Sequence, residues 1–225
     1  MKQNIFKFHF NKTNKRFLFC VSERNHFAYK MISKWPNWDN RIIYIYGPKD
    51  CGKTLLSEIW SKKSNAINVN NNFLEKLDSN QNIKRMEQEE NWLIENIDKI
   101  IKEGFEEKIL NFINIISQKK GFLLITSRKI PKELLCSLKD LLSRLNASLV
   151  IEVKEPNEDL IQKIILKHLE LRQIQISKKN LSYLLARMER TYSSAINLTK
   201  IIDEESLESH SNISIEFLKK ILKKN

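Results

Sequence analysis

Apolar residues in this chain first come as short continuous runs and then, past position 156, as helical stripes. RIIYIYG, from Arg41, is a β-branched and aromatic run ending at a glycine. After a turn comes LLSEIWSKK, whose apolar positions recur three and four residues apart. Four further runs, AINV at 66–69, the WLI of NWLIEN at 92–94, GFLLIT at 121–126 and LVIEV at 149–153, have the length of buried parallel strands. Between the runs, FEEKILNFINIISQ at 105–118 reads as a helix, as does 132–145, introduced by Pro131. Strand and helix alternate, which predicts an α/β domain on a parallel five-stranded sheet. Beyond Pro156 the segments 157–171, 177–188, 193–206 and 214–222 all read as helices, several opened by Asn or Ser caps, so a small all-helical domain follows. The expected division is a tail at 1–17, an α/β domain at 18–155 and a helical domain at 156–225. The polar, Asn-rich stretch 70–88 carries one weak helical pattern and is read as a loop.

Composition narrows the partners. At 225 residues the chain holds one compact core plus an appendage, which excludes a large multidomain machine. A formal charge of +12 favours polyanionic partners, although lysine-rich solvated faces give the same number. Apolar runs such as FLFCV at 17–21 fall well short of the ~20 residues that cross a bilayer. The N-terminal MKQNIFKFHFNKTNKR has scattered charge and no small-residue cleavage site, so a cytoplasmic protein without membrane contact is expected. Three widely spaced cysteines without a CxxC predict free thiols, and four scattered histidines predict no zinc site.

The densest chemistry lies at 47–54, GPKDCGKT, which satisfies GxxxxGK[ST] between a strand and a helix and holds two of the four glycines. The loop of Gly47, Pro48, Lys49, Asp50, Cys51 and Gly52 would surround a phosphate, with the backbone N–H groups of all but Pro48 available to turn toward it. Lys53 would meet the β/γ oxygens, and Thr54 would offer its hydroxyl to Mg²⁺. Glu95, at the exit of the WLI run, is the second expected magnesium partner. The next residue is Asn96, and an amide cannot take a proton from an attacking water. Asp98, two residues further on, either approaches the site or, the favoured reading for a carboxylate at a strand exit, is merely solvated. Intrinsic hydrolysis is therefore expected to be slow or absent.

With these motifs in order, the chain resembles the AAA+ ATPases of bacterial replication: the initiator DnaA and, more closely, its shortened regulatory relatives of the Hda/HdaA type. ITSRKIPKEL at 125–134 is similar to the family's strand-plus-sensor segment, and LLSRLNASLVIEVKEPNEDL at 141–160 to the element that leads into its lid. SERNHFA at 22–28 resembles the entry helix, which would bring Asn25 near adenine, unless Ser22 merely caps an ordinary helix. The resemblance implies an AAA+ core with a helical lid, ADP or ATP with Mg²⁺ as cofactors, and Arg144 as an arginine finger that acts in trans on nucleotide held by a neighbour. It departs from the pattern at Arg128, which stands for a sensor acid, and at Ser193, which stands for the lid's sensor arginine. Arg190, about one turn earlier, is a candidate substitute. QNIFKF at 3–8 resembles the peptide with which such regulators grip the sliding clamp, with Gln3, Phe6 and Phe8 as anchors. A plain N-terminal strand or tail reads the same letters.

The resemblance implies a regulator that docks on the clamp, hastens ATP hydrolysis by a DnaA-type initiator and so restrains replication initiation. Self-association through the AAA+ interface would use the same surfaces. Because the sequence ends after the lid, sequence-specific DNA recognition is not expected, and DNA contact would be indirect or non-specific. The alternative is an ATP-driven helicase or clamp-loader-like remodeler that grips DNA with its positive charge; it needs its own hydrolysis, and Asn96 counts against it. A P-loop kinase would need an acceptor site and a catalytic base, and the sequence offers neither.

Overall fold

The computed structural model describes residues 19–209 and 212–224. Five strands, β1 (Ile42–Tyr46), β2 (Ile67–Asn68), β3 (Asn91–Ile94), β4 (Phe122–Ser127) and β5 (Leu149–Glu152), form one parallel sheet in the order β2-β3-β4-β1-β5. β1 is an interior strand, its Ile43 paired with Leu124 on one side and Leu149 on the other. A strand with sheet on both sides and helices on both faces has no solvated face, which is why IIYIY carries no polar alternation.

The pleat divides the core. Ile43 and Ile45 point to one face, where they join α1 (His26–Lys34) and α2 (Lys53–Ser64) through Ile32, Leu56 and Trp60. Tyr44 points to the other, with Trp92, Ile94 and Ile125. There α5 (Ile97–Lys102), α6 (Glu106–Gln118) and α7 (Lys139–Asn146) cover the sheet. That face is anchored by three rings: Trp92 and Phe112 meet edge to face at 5.3 Å and 79°, and Phe73 closes the triangle at 5.7 and 5.9 Å.

The carboxyl-terminal helices α8 (Glu158–Glu170), α9 (Lys178–Leu185), α10 (Tyr192–Ser209) and α11 (Ile215–Lys224) form the expected helical part. Their buried Leu160, Ile164, Leu198 and Leu218 belong to the same apolar cluster as Ile43 and Trp60, so the lid continues the core of the sheet domain. The capping residues act as their chemistry requires: Asn157 Oδ1 accepts from the Leu160 N–H at 3.1 Å and Ser177 Oγ from the Asn180 N–H at 3.2 Å.

Two segments differ from the sequence reading. The stretch 70–88 is two helices, α3 (Asn71–Glu75) and α4 (Asn80–Gln88), with Asn70 and Ser79 as caps that accept from Phe73 and Asn82. Phe73, Leu74, Leu77 and Met86 are buried beneath them, four apolar side chains too sparse among polar residues to register as a period. The helix expected over 132–145 is instead a 3-10 turn at Pro131–Glu133, an extended link, and α7 beginning at Lys139. The Glu106 carboxylate accepts the backbone N–H groups of both Ser137 and Leu138 at 3.0 and 3.1 Å, holding the link extended against its helical propensity. That contact is 31 residues distant in sequence and invisible to a local pattern.

Trp92→Ala should cost about 3–5 kcal/mol, because it removes a fully buried ring from the aromatic triangle and leaves a cavity. Urea denaturation should show a lower midpoint with an unchanged slope. An unmoved midpoint would mean that this face is not the packed core described above.

Candidate functional site

The loop between β1 and α2 follows from three backbone requirements. A Cβ on Gly47 would lie 2.1 Å from the Val153 carbonyl oxygen, so only glycine lets the loop pass the end of β5. Gly52 has φ +103° and caps α2 without a side chain, leaving that helix's first N–H groups to whatever the loop encloses. Asp50 also adopts a left-handed conformation, φ 60°. Inside this turn Lys53 is 7% exposed. Its ammonium donates to the Gly47 and Pro48 carbonyls at 2.8 and 2.7 Å and lies 3.6 Å from Cys51 Sγ. Burial pushes the Cys51 thiol up, so it stays protonated and leaves the lysine's charge uncancelled.

A cavity of about 460 Å³ opens beside the loop. Lys49, Asp50, Gly52, Lys53 and Thr54 form one wall. Asn96, Thr126 and Arg128, from the ends of β3 and β4, and Lys99 of α5 form the second. The lid supplies His168, Tyr192, Ser193 and Ile196. Four cationic side chains line the cavity against the carboxylates of Asp50 and Glu58, so the wall as a whole suits an anion. Glu95 lies just outside it: the Ser57 hydroxyl sits 2.6 Å from Glu95 Oε1 and 2.9 Å from the Thr54 carbonyl oxygen, tying the two expected magnesium partners together through α2. No cluster of three His, Cys, Asp or Glu that could hold a metal exists among the described residues. A magnesium ion would thus rest on Thr54 and Glu95 with water and phosphate oxygens completing its shell, the usual manner of this ion at phosphates.

The strand ends depart from one expectation. Asp98, read as a solvated carboxylate, is 8% exposed. Its Oδ1 accepts from the Ser127 hydroxyl at 3.3 Å and the Arg128 N–H at 3.1 Å. It therefore binds α5 to the end of β4 and fixes the backbone from which Arg128 reaches the cavity. Asn96, left-handed at φ 52°, donates its N–H to Thr126 Oγ1 at 3.0 Å.

The lid is fastened to the loop at Asp50. The Tyr192 N–H donates to the Asp50 carbonyl at 3.0 Å, and the Ser193 hydroxyl donates to Asp50 Oδ1 at 2.7 Å. The Tyr192 hydroxyl accepts the Cys20 N–H at 3.1 Å, and its ring stacks on Phe19 at 6.0 Å and 17°. Ser193, noted in the sequence only as the replacement for an arginine, is thus a contact between lid and loop. Tyr192 and His168 were not anticipated as site residues; they stand more than a hundred positions from the loop, and no spacing rule joins them to it.

Three of the anticipated residues do not line the cavity. Asn25 is 2% exposed, and both ends of its amide are used within the entry turn: Oδ1 accepts the Ser22 N–H at 2.8 Å and Nδ2 donates to the Cys20 carbonyl at 2.9 Å. It shapes the segment carrying Phe19 and Cys20 and does not line the cavity. Arg190 turns outward and pairs with Glu158 at 2.9 Å, so it is no substitute for a lid arginine here. Arg144, in the last turn of α7, is exposed and does not line this chain's own cavity. Gln3, Phe6 and Phe8 lie outside the described residues.

The cavity also contains a buried titratable group. His168 is 3% exposed, and burial first, then the nearby charges of Arg172 and Lys167, lower it from an ordinary 6.5 to about 4.

Comparisons with known proteins agree with this geometry. Residues 158–222 match the family model described as Hda, lid domain. The chain is 27% identical to an uncharacterized protein of Haemophilus influenzae over 80% of this chain and 81% of that one. It is 25% identical to the chromosomal replication initiator protein DnaA of Nautilia profundicola, across 92% of this chain and 51% of the initiator, so it spans about half the length of such initiators. Among solved structures, domain III of the Thermotoga maritima replication initiation protein DnaA superposes with a TM-score of 0.82 at 18% identity, covering 95% of this chain and 97% of that domain. DnaA from Aquifex aeolicus bound to AMPPCP superposes with a TM-score of 0.73 at 20% identity, covering 84% and 65%. The fold is that of an AAA+ P-loop ATPase. No helix among the described residues is long and apolar enough to cross a membrane.

The lowered His168 titration carries a pH consequence. Between about pH 6.5 and 4 the unfolded chain binds a proton that the folded chain refuses, so this residue's contribution is intact above 6.5 and is lost as pH falls through that window. The loss should be on the order of 3 kcal/mol at full extent. Chemical denaturation across this range should give a steeper decline for the parent than for His168→Leu, and parallel curves would refute the assignment.

Proposed function

We propose that this DnaA-related AAA+ protein, whose lid is of the Hda type, binds ADP or ATP between its 47–54 loop and its lid, and in that form presents Arg144 to ATP held by a DnaA-type replication initiator. The observation that carries the first half is Lys53, a buried ammonium held by uncharged loop atoms in a basic cavity. A polyphosphate is the ligand whose charge answers it, through the backbone N–H groups of the loop and the start of α2. The similar Aquifex aeolicus initiator holds AMPPCP, which supports an adenine nucleotide in particular.

The residues of this chain divide the work. Lys53 and the loop bind the phosphates, Thr54 and Glu95 hold magnesium, and Tyr192 and Ser193 fasten the lid at Asp50 whether or not the nucleotide reaches them. Asn96 in the place of a water-polarising carboxylate, and Ser193 in the place of a lid arginine, leave the bound nucleotide with little assistance toward hydrolysis. It serves as a structural ligand that sets the relation of lid to sheet. Arg144 then stabilises charge on the transferring phosphate of the partner, where a planar guanidinium can make two parallel hydrogen bonds. Docking of Gln3, Phe6 and Phe8 on the sliding clamp would confine this action to replicating DNA and make the outcome negative regulation of initiation. A DNA-gripping remodeler is the weaker reading, because it requires turnover that Asn96 does not favour.

Loss of ATP from the initiator, followed on clamp-loaded DNA, should accelerate when this protein is added. Arg144→Ala should remove most of that acceleration, on the order of 10³-fold where such fingers act at full strength, while nucleotide binding is retained. Equal stimulation by the Arg144→Ala variant would exclude the trans mechanism, and no stimulation by the parent would exclude the regulatory role.

A further inference from the structure

The side chain of Arg144 is exposed and makes no hydrogen bond or ion pair among the described residues. Nothing grips the guanidinium itself, so its place is set by the helix that carries it. That helix, α7, has eight residues, and its buried side chains are Leu141 and Leu145, four apart, which belong to the same apolar cluster as Ile109 and Phe112 of α6. One such stripe decides which face turns inward. It sets the axial position of the helix only loosely, because apolar contact has no direction. Leu138, at the N-cap, has no side-chain oxygen with which to finish the first turn.

Two side chains from distant parts of the sequence tie the ends of α7. At its start the Glu106 carboxylate uses both oxygens: each accepts the Ser137 N–H at 3.0 Å, and Oε2 also accepts the Leu138 N–H at 3.1 Å and the Ser137 hydroxyl at 2.5 Å. Just past its end, Asn40 Nδ2 donates to the Ala147 carbonyl at 3.0 Å while Oδ1 accepts the Ile42 N–H at 3.0 Å, which joins α7 to the first residue of β1. Hydrogen bonds are directional, and these two sets lie at opposite ends of a helix roughly 12 Å long. Most of them are open to water, where their net contribution to folding is modest, so their main effect is on placement. We propose that Glu106 and Asn40 are positioning residues that hold Arg144 where it can meet nucleotide on a partner. The inference rests on the trans action proposed above and deepens it. A guanidinium that stabilises a transferring phosphate has little tolerance: a displacement of about 1 Å, caused by a change remote from the chemistry, can cost on the order of 10²-fold in rate.

The test follows loss of ATP from the initiator on clamp-loaded DNA while the concentration of the full chain is varied, which separates the rate at saturation from the concentration that gives half of it. Glu106→Ala and Asn40→Ala should each lower the saturating rate roughly tenfold and leave the half-saturating concentration and the calorimetric affinity for ADP in place. Glu106→Gln, whose amide oxygen still accepts the two N–H groups, should recover most of the rate. In an Arg144→Ala background Glu106→Ala should cause no further loss, since the carboxylate acts only through the arginine. Saturating rates equal to the parent's in both alanine variants overturn the inference. So does a further loss in the Arg144→Ala background, or a matching fall in ADP affinity, which marks a general structural effect. A parent that gives no stimulation instead overturns the trans reading itself. Should Glu106→Ala fold poorly, Asn40→Ala decides alone by the same measures.

Discussion

A lysine ammonium almost wholly out of water, resting on the carbonyl oxygens of its own loop, is the constraint from which the rest of this molecule can be understood. Uncharged dipoles solvate such a charge only in part, and a protein keeps it buried where an anion is to be met. The geometry that makes it possible is narrow. Gly47 must pass the end of β5 where no Cβ fits, Gly52 must turn left-handed to start α2, and the sheet must hold β1 between β4 and β5 so that the loop emerges from an interior strand. The β-branched run at 42–45 serves that last purpose: buried on both faces, it locks the register that aims the loop.

The lid depends on the same loop from the other side. Its helices share the apolar cluster of Ile43, Leu56 and Trp60, which gives them a fixed base, and Asp50 gives them a latch within the loop itself. Two hydrogen bonds join the loop to Tyr192 and Ser193, and the Tyr192 hydroxyl continues the chain of contacts to the segment carrying Phe19 and Cys20. Coupling of this kind suits a protein whose nucleotide acts as a ligand that sets shape, and it needs no turnover.

Much of this was legible in the sequence because it is local. Continuous apolar runs of strand length gave five strands, Asn and Ser caps marked the lid helices, and GPKDCGKT named the loop. What escaped was non-local. Glu106 unwinds the start of an otherwise helical segment from 31 residues away, and Asp98 is drawn into the interior by Ser127 and Arg128, so neither could be read from its neighbours. Asn25 and Arg190 fit a motif by position, yet their side chains found nearer partners in Cys20 and Glu158. His168 gave no signal at all: a histidine inside an apolar helical stripe looks like core until the cavity beside it is known.

The central claim is that the loop and lid enclose an adenine nucleotide through Lys53. Isothermal titration of ADP and ATP, with Mg²⁺, into the full chain and into Lys53→Met tests it most directly. The account predicts saturable uptake of one nucleotide per chain by the parent and its loss in the variant. No uptake by the parent at millimolar nucleotide, or equal uptake by both proteins, would contradict it.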